Sequence, residues 1–485
     1  MNGTTKRYIG MTIGPIFDTV NLASSPAALW AGSYFFSLLS RNICVLLTER
    51  YGVSEEQIIS PYYEKDAALL NKNDGIGLFH DRIVFLAEGF DASKTSELKE
   101  EAIANTAEFF GLTDGDKLDY LRRYVMIASV EAEVAEGENP ILATAVMLDA
   151  MELAKPYVFR SEENPILSLF VNHDGSGRNE AIKAVVNGFE SFALRAPGGK
   201  LKDIRAIIGS GDYKRYNYYA IVRSDGDNMG KILGALKGAE EIRDFSQKCL
   251  SFCSRVADEA IAYGGAPIYA GGDDLLAILP CERNGKTVFE FIQSANGIFA
   301  DSFKDYPEAN ASLSFGVTVA YYKFPLYEAL AQSADMLFDQ AKKVKNCVAF
   351  NLQKHSGQSE GLLITNSALE TVVNNLNSVM KIKDDTLLSA MHKLGLFKQA
   401  FNNTSSSAEI ENLFLNTFDA DAHGDNNFVR KTLPDLFKFI ARGGDSENGR
   451  GIYAIDKKGV VKGDPVFTMQ SLMRVMKFYV EKGGE

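Results

Sequence analysis

The sequence predicts an α+β fold, and three observations carry that expectation. Residues 215–355 alternate strand and helix signals in the order βαββαβ, two of those strands meet at a Gly-Gly-Asp-Asp turn, and from residue 356 the apolar spacing becomes helical. The middle order is the split βαβ, ferredoxin-like arrangement, in which an antiparallel sheet carries two helices on one face.

Taken in order, the chain opens with a strand signal, "RYIGMTIGPI", followed by a Pro-initiated helix from about Pro26 and by strand signals in "QIISPYY" and "RIVFLAEGF". Residues 93–214 read as mostly helical, with breaks at "AEGENP" and "NHDGSGRNE". Then comes the β-rich "YNYYAIVRSD", and a helical pattern that ends in paired glycines. "APIYAGGDDLLAILP" is two apolar runs joined by a polar turn, the pattern of a β-hairpin. Helix "TVFEFIQSANGIFADSFKDY", strand "ASLSFGVTVAYY", helix "LYEALAQSADMLFDQAKKVK" and strand "CVAFNL" complete the unit. A polar Gly/Ser-rich boundary, "LQKHSGQSEG", precedes amphipathic helices over residues 356–485, read as an all-helical C-terminal domain.

Composition excludes several classes. With 485 residues, 46% hydrophobic and 24% charged, the chain is an ordinary globular one of several domains. Its formal net charge of −12 excludes bulk electrostatic gripping of nucleic acid, so any RNA contact is local or shared with a basic partner. The five cysteines are too few and too scattered for a disulfide framework, which points to a reducing, cytoplasmic compartment. Cys249 and Cys253, four apart on one helical face, read as small buried thiols, and no structural zinc is expected. No stretch exports the chain or spans a bilayer.

The carboxylates carry the chemistry. The first strand of the βαββαβ unit ends in Asp225, Gly226 and Asp227, and the hairpin tip carries Gly271, Gly272, Asp273 and Asp274. In this topology the first strand lies beside the hairpin, so the aspartates converge. Such a cluster folds readily only with cations, and Mg²⁺ or Mn²⁺ suits carboxylate oxygens completed by substrate phosphates. Two such ions bridging a triphosphate favour attack by a hydroxyl and departure of pyrophosphate. Gly271 and Gly272 turn the backbone tightly and let it approach a nucleotide, Gly226 ahead of "NMG" offers backbone groups to the metal and to phosphates, and Asp227 is expected to meet the substrate. Each motif alone also fits a plain turn or N-cap. Their coincidence at matching strand ends is the signal.

At these residues the chain resembles a known family. "YYAIVRSDGDNMGKIL", "YAGGDDLLAILP", "LSFGVTVAYY" and "AKKVKNCVAF" are similar to the active palm of the large polymerase/cyclase-like subunit of type III CRISPR effector complexes. "IGMTIGPIFDTV", "LWAGSYFFSLLS" and "GIGLFHDRIVFLAE" resemble the degenerate first palm of its Cmr branch. The resemblance implies two ferredoxin-like palms: a degenerate one over 1–92, a helical linker over 93–214, the active palm over 215–355 and the helical domain over 356–485. It implies that target RNA paired with guide crRNA activates the synthesis of cyclic oligoadenylates from ATP, with other effector subunits as partners. Asp273 and Asp274 match the catalytic pair, Asp225 the metal-binding aspartate of the first strand, and Lys345 with Asn346 the Lys-Asn of the last motif. Lys345 fits a triphosphate contact and equally a surface lysine beside a helix end.

The first palm lacks both acidic motifs, so by this resemblance it serves as architecture and as a second pocket wall. The chain starts directly at a palm, without the HD nuclease domain of many relatives, so DNA cleavage is not expected of it. His80-Asp81 and His173-Asp174 read as turn residues, because five scattered histidines do not make an HD site. Trp30, the single tryptophan, reads as core. Some HD-less members couple ATP to S-adenosylmethionine at the same metal site, which stands as an alternative. A stand-alone cyclase making cyclic dinucleotides from GTP and a catalytically silent scaffold are the rivals from other classes.

Overall fold

The computed structural model describes residues 5–482 apart from 22, 24, 67–74, 154–203, 209–210, 381–383, 405, 419–427, 443–450 and 462. His173 and Asp174 lie outside the described residues.

The first sheet is built from β1 (Thr5–Gly14), β2 (Ile58–Ser60), β3 (Arg82–Leu86) and β4 (Met126–Ala135), in the order β2-β3-β1-β4. β1 pairs antiparallel with both β3 and β4. With helices Pro26–Glu49 and Thr95–Phe109 between the strands, this is a complete βαββαβ unit. The boundary placed at residue 92 is therefore corrected: the fourth strand comes from the region read as mostly helical. Its sequence, MIASVEAEVA, alternates Ala128, Val130, Ala132 and Val134 with Ser129, Glu131 and Glu133, a period-2 signal masked by helix-favouring Ala and Glu.

Helix Pro26–Glu49 starts cleanly because Ser25 Oγ accepts from the Ala28 amide at 3.2 Å and Pro26 needs no N–H partner. It is buried along most of its length. Trp30 is in the core, as its position predicts, with Nε1 donating to the Gly75 carbonyl at 2.9 Å. Small polar residues on the same helix tether the segment before β3: Ser37 Oγ accepts from the Phe79 amide and Ser40 Oγ donates to the His80 carbonyl, both at 2.8 Å.

The second sheet is built from β5 (Tyr218–Asp227), β6 (Ala266–Gly271), β7 (Asp274–Pro280), β10 (Ser312–Tyr321), β11 (Cys347–Gln353), β12 (Ser359–Thr365), β13 (Ile452–Asp456) and β14 (Gly459–Val461). Its order is β14-β13-β12-β11-β10-β5-β7-β6. A small side hairpin, β8 (Glu282–Arg283) and β9 (Lys286–Thr287), stands apart. The expected unit is present: β10-β5-β7-β6 is the ferredoxin-like order, helices Gly238–Ala262 and Val288–Ser302 lie in their expected places, and β11 adds parallel to β10. The C-terminal region supplies the expected helices, among them Leu369–Val379 and Pro465–Val480, and it also supplies three strands that extend the sheet. These strands were not legible because short β runs flanked by Gly and charge look like loops between helices. Among the described residues no helix is long and apolar enough to cross a membrane.

The two sheets are joined by backbone as well as side chains. The Ala270 amide donates to the Gly77 carbonyl at 2.8 Å, and the Tyr62 amide donates to Ser246 Oγ at 2.8 Å. The Arg243 guanidinium lies 4.4 Å from the centre of the Tyr62 ring and donates to the Glu55 and Tyr63 carbonyls at 3.2 and 3.0 Å.

Helix Leu326–Asp335 and the π-helical turn Met336–Ala341 lie directly on β10, where Gly316 makes the approach possible. A Cβ at Gly316 would sit 2.3 Å from the Ser333 carbonyl oxygen and 2.4 Å from the Leu337 nitrogen, both backbone atoms that cannot give way alone. We expect Gly316→Ala to lower the unfolding free energy by about 2–3 kcal/mol in a denaturant melt. A melt equal to that of the parent would mean the helix is not clamped there.

Candidate metal and nucleotide site

The tip of the β6–β7 hairpin meets the end of β5. Asp225, Asp273 and Asp274 each offer a carboxylate oxygen, and these oxygens all lie within 4.8 Å of one another. Two glycines make that convergence possible. Gly272 turns with φ +70°, and a Cβ on Gly226 would lie 2.4 Å from Asp273 Oδ2 and 3.0 Å from Asp273 Cβ. Gly271 serves a different neighbour: a Cβ there would meet the Tyr269 hydroxyl at 2.5 Å, so the missing side chain leaves room for that ring.

Electrostatics follow from crowding. Burial, and then the charge of Asp225, push Asp273 up to about 6. Asp274 opens on the cavity, yet the protein around that narrow space still desolvates it. With Asp273 and Asp225 adding repulsion, its carboxyl rises well above the usual range. Burial also raises Asp225, against the pull of Lys342. An all-oxygen donor set under mutual repulsion fits a hard divalent cation such as Mg²⁺ or Mn²⁺, since a cation relieves the strain that neutral ligands would not.

Beside the aspartates is a cavity of about 340 Å³ walled by both sheets. From the second come Gly271, Gly272, Asp273 and Asp274 with Met229, Phe245 and Tyr269; from the loop before β3 come His80 and Asp81. The sequence placed His80 and Asp81 in a turn, and they are in a loop, but one that faces the acidic cluster. Burial lowers His80 to about 4, and its Nε2 is 3.1 Å from Ser60 Oγ. Asp81 is raised by burial, while the neighbouring Arg82 is engaged by Asp149 and Glu152. No local signal marks this loop, since its role exists only once the sheets are docked. Cys249 lies on the cavity wall, and Cys253 Sγ reaches the Gly272 carbonyl at 3.2 Å; both thiols are buried, as expected.

Two expected site residues are placed differently, and Lys345 takes the surface place that was its other reading. Asp227, expected to meet substrate, has a side chain with 0% exposure, its Oδ2 accepting from Ser312 Oγ (2.9 Å), Ser314 Oγ (2.7 Å) and the Asn346 amide (2.9 Å). It is a buried brace, because β10 covers it. The Gly226 carbonyl, expected to face metal, is taken by Lys342 Nζ at 2.8 Å. Lys345 comes after the last helical turn with φ 67°, and its Nζ donates to Asn228 Oδ1 at 3.0 Å on the exposed rim. Sequence reading missed Lys342. It stands in "AKKVK" among three lysines, and nothing in that run tells which one turns inward.

Residues 8–110 match the family "CRISPR-associated protein Cmr2, N-terminal", and residues 218–349 match "Cas10/Cmr2, second palm domain". The chain is similar to the Cmr subunit Cmr2 of Pyrococcus furiosus, with 34% identity over 172 residues, which is 29% of this chain and 19% of that relative. The aligned part is thus about a fifth of the relative's length. Among solved structures, a type III-B Cmr-beta complex in the apo state matches with TM-score 0.61 and 11% identity, over 98% of this chain and 82% of the other. A Csm1-Csm4 cassette in complex with cA4 matches with TM-score 0.56 and 13% identity, over 99% and 70%. At these identities the structural likeness is one of fold.

Two outcomes are expected of the site. Gly226→Ala pushes Asp273 aside at a surface of movable side-chain atoms, so Mn²⁺ binding should weaken by roughly 10-fold or more while the fold survives; unchanged binding would separate Gly226 from the metal site. For His80, the folded pKa of about 4 lies below the free value of 6.5, so the unfolded chain binds more protons between them. Stability is full above that window and is lost as pH falls through it. His80→Gln should therefore be less acid-sensitive than the parent by on the order of 1–2 kcal/mol between pH 7 and pH 5. Parallel melting curves for the two proteins across that range would contradict a neutral, buried imidazole.

Proposed function

We propose that this chain, a member of the Cas10/Cmr2 family by its N-terminal and second-palm segments, is the nucleotidyl-transferring subunit of a type III CRISPR effector complex. On this reading it makes cyclic oligoadenylates from ATP when target RNA pairs with guide crRNA. The observation that carries the reading is the convergence of Asp225, Asp273 and Asp274 at the strand ends of a βαββαβ sheet, beside a cavity of about 340 Å³. Its partners are other effector subunits, crRNA and target RNA in a cytoplasmic complex; a net charge of −12 fits RNA held mainly by those partners.

In each transfer an acceptor hydroxyl attacks the α-phosphorus of ATP; one P–O ester bond forms, the bond to the β-phosphate bridge breaks, and pyrophosphate leaves. Asp225, Asp273 and Asp274 would hold divalent ions, which would supply charge neutralisation for the triphosphate and a lowered pKa for the attacking hydroxyl. Gly271 and Gly272 keep the hairpin tip low, so a nucleotide can lie close to the carboxylates. Met229, Phe245 and Tyr269 wall the cavity and exclude water from the reacting groups. The first palm contributes the opposing wall.

Asp81 favours a second acceptor. Its carboxyl, raised by burial, ionises most readily beside a cation, and Arg82 on the same wall is already paired with Asp149 and Glu152, which suits the sulfonium or ammonium of S-adenosylmethionine. Mass spectrometry separates the readings: the reconstituted complex is incubated with crRNA, target RNA, Mg²⁺ and ATP, with and without S-adenosylmethionine. Adenylate rings from ATP alone support the first reading, and a product only with S-adenosylmethionine supports the second. Product without RNA or partner subunits would point to a stand-alone cyclase, and no product in any arm to a scaffold.

Asp273→Ala with Asp274→Ala should lower product by about 10³-fold or more while the complex still assembles, because the residues sit at a hairpin tip and not in the core. Retained turnover would sink the metal assignment.

A further inference from the structure

The group that organises the acidic cluster is a lysine outside both acidic motifs. Lys342 Nζ lies 3.1 Å from Asp225 Oδ1 and 3.1 Å from Asp227 Oδ1, and it also reaches the carbonyl oxygens of Asp225 and Gly226 at 3.0 and 2.8 Å. An ammonium has three N–H donors, so these four acceptors exceed what it can serve at once. The two carboxylates differ in freedom. Asp227 is fixed by Ser312, Ser314 and the Asn346 amide and is fully buried, whereas the Asp225 side chain keeps 26% of its exposure and faces Asp273 and Asp274.

The backbone aims the lysine from two sides. The π-helical turn Met336–Ala341 immediately before Lys342 carries more residues per turn than an α-helix and so rotates the succeeding residues around the helix axis. Gly316 lets that same turn lie on β10 without a side chain between them. Other cations nearby are spent elsewhere: Arg223, which feels the charge of Asp274, donates to Ser333 Oγ and Asn21 Oδ1. Lys345 points to the rim.

We propose that Lys342 is a built-in counter-ion of the metal site. In the metal-free chain its ammonium neutralises Asp225 while resting on Asp227. When a divalent cation takes Asp225, the ammonium stays on Asp227 and the two carbonyls. Lys342 is thus a positioning residue that keeps the three carboxylates assembled before metal arrives. The inference rests on Asp225, Asp273 and Asp274 being the metal centre.

The test is thermal unfolding of the full chain in chelator and in Mn²⁺, together with Mn²⁺ binding measured by electron paramagnetic resonance. Lys342→Met keeps the stem and removes the charge. Its Tm in chelator should fall by about 4 °C or more, and Mn²⁺ should restore part of the loss, so that its metal-induced shift exceeds that of the parent. Lys342→Met with Asp225→Asn, which removes one charge of each sign at Asp225, should recover the same part of Tm without metal, the remainder being the ammonium lost from Asp227. If Lys342→Met does not fold, the double variant still should. A Lys342→Met chain as stable as the parent in chelator overturns the proposal, as does a loss of which neither Mn²⁺ nor Asp225→Asn returns any part, which is the behaviour of a residue that serves packing or Asp227 alone. A parent chain that binds no Mn²⁺, or binds it equally after Asp273→Ala and Asp274→Ala, removes the metal centre itself and the proposal with it.

Discussion

Like charges resist being held together, and the second sheet is arranged around that resistance. Asp225, Asp273 and Asp274 come within 4.8 Å of one another only because the first strand and the hairpin tip end at the same height, Gly226 withholds a Cβ, and Gly272 turns left-handed. Burial raises the carboxyls of all three, and repulsion within the cluster adds to it at Asp273 and Asp274. Asp227, two residues beyond Asp225 on the same strand, shows the opposite treatment. Three donors meet one of its oxygens and an ammonium the other, so its hydrogen-bonding capacity is filled. One strand end therefore carries both a frustrated carboxylate and a satisfied one, and the satisfied one anchors the lysine that the other needs.

The docking of the two sheets is the second determinant. A single backbone hydrogen bond from Ala270 to Gly77 places the loop bearing His80 and Asp81 opposite the hairpin tip, and the serines of helix Pro26–Glu49 hold that loop at its own end. The cavity thus depends on residues nearly two hundred positions apart in the chain. The first palm carries no acidic motif, yet it contributes His80, Asp81 and Arg82 to the cavity wall, and the first two are shifted by burial toward their neutral forms.

Much of this was legible in the sequence. The βαββαβ order of the second palm, the hairpin at Gly-Gly-Asp-Asp, the meeting of Asp225 with Asp273 and Asp274, the burial of Trp30 and the thiol character of Cys249 and Cys253 are consequences of period, turn chemistry and topology. The features that escaped did so for physical reasons. Strand β4 is built from Ala and Glu, whose helix propensity outweighs a weak alternation. Asp227 shares its face of β5 with Asp225, and only the serines of the neighbouring strand decide that it is enclosed. Lys342 is distinguished from Lys343 and Lys345 by a π-turn, a change in helical count that leaves no mark in residue type. Asp81 is a tertiary residue in the full sense, since the carboxylates it faces across the cavity come from the other sheet.

The second sheet continues across the nominal boundary at residue 355. β12 hydrogen-bonds to β11 along its length, and β13 and β14 come next, so residues from the C-terminal region form rungs of the same ladder that holds β5. The second palm is consequently not a detachable cassette. Cutting the chain after β11 would bare a full row of unpaired amides and carbonyls, an adhesive edge of the kind that recruits a second chain. Recombination between relatives at that point would have to carry both sides together, so the helical tail and the palm are one heritable unit.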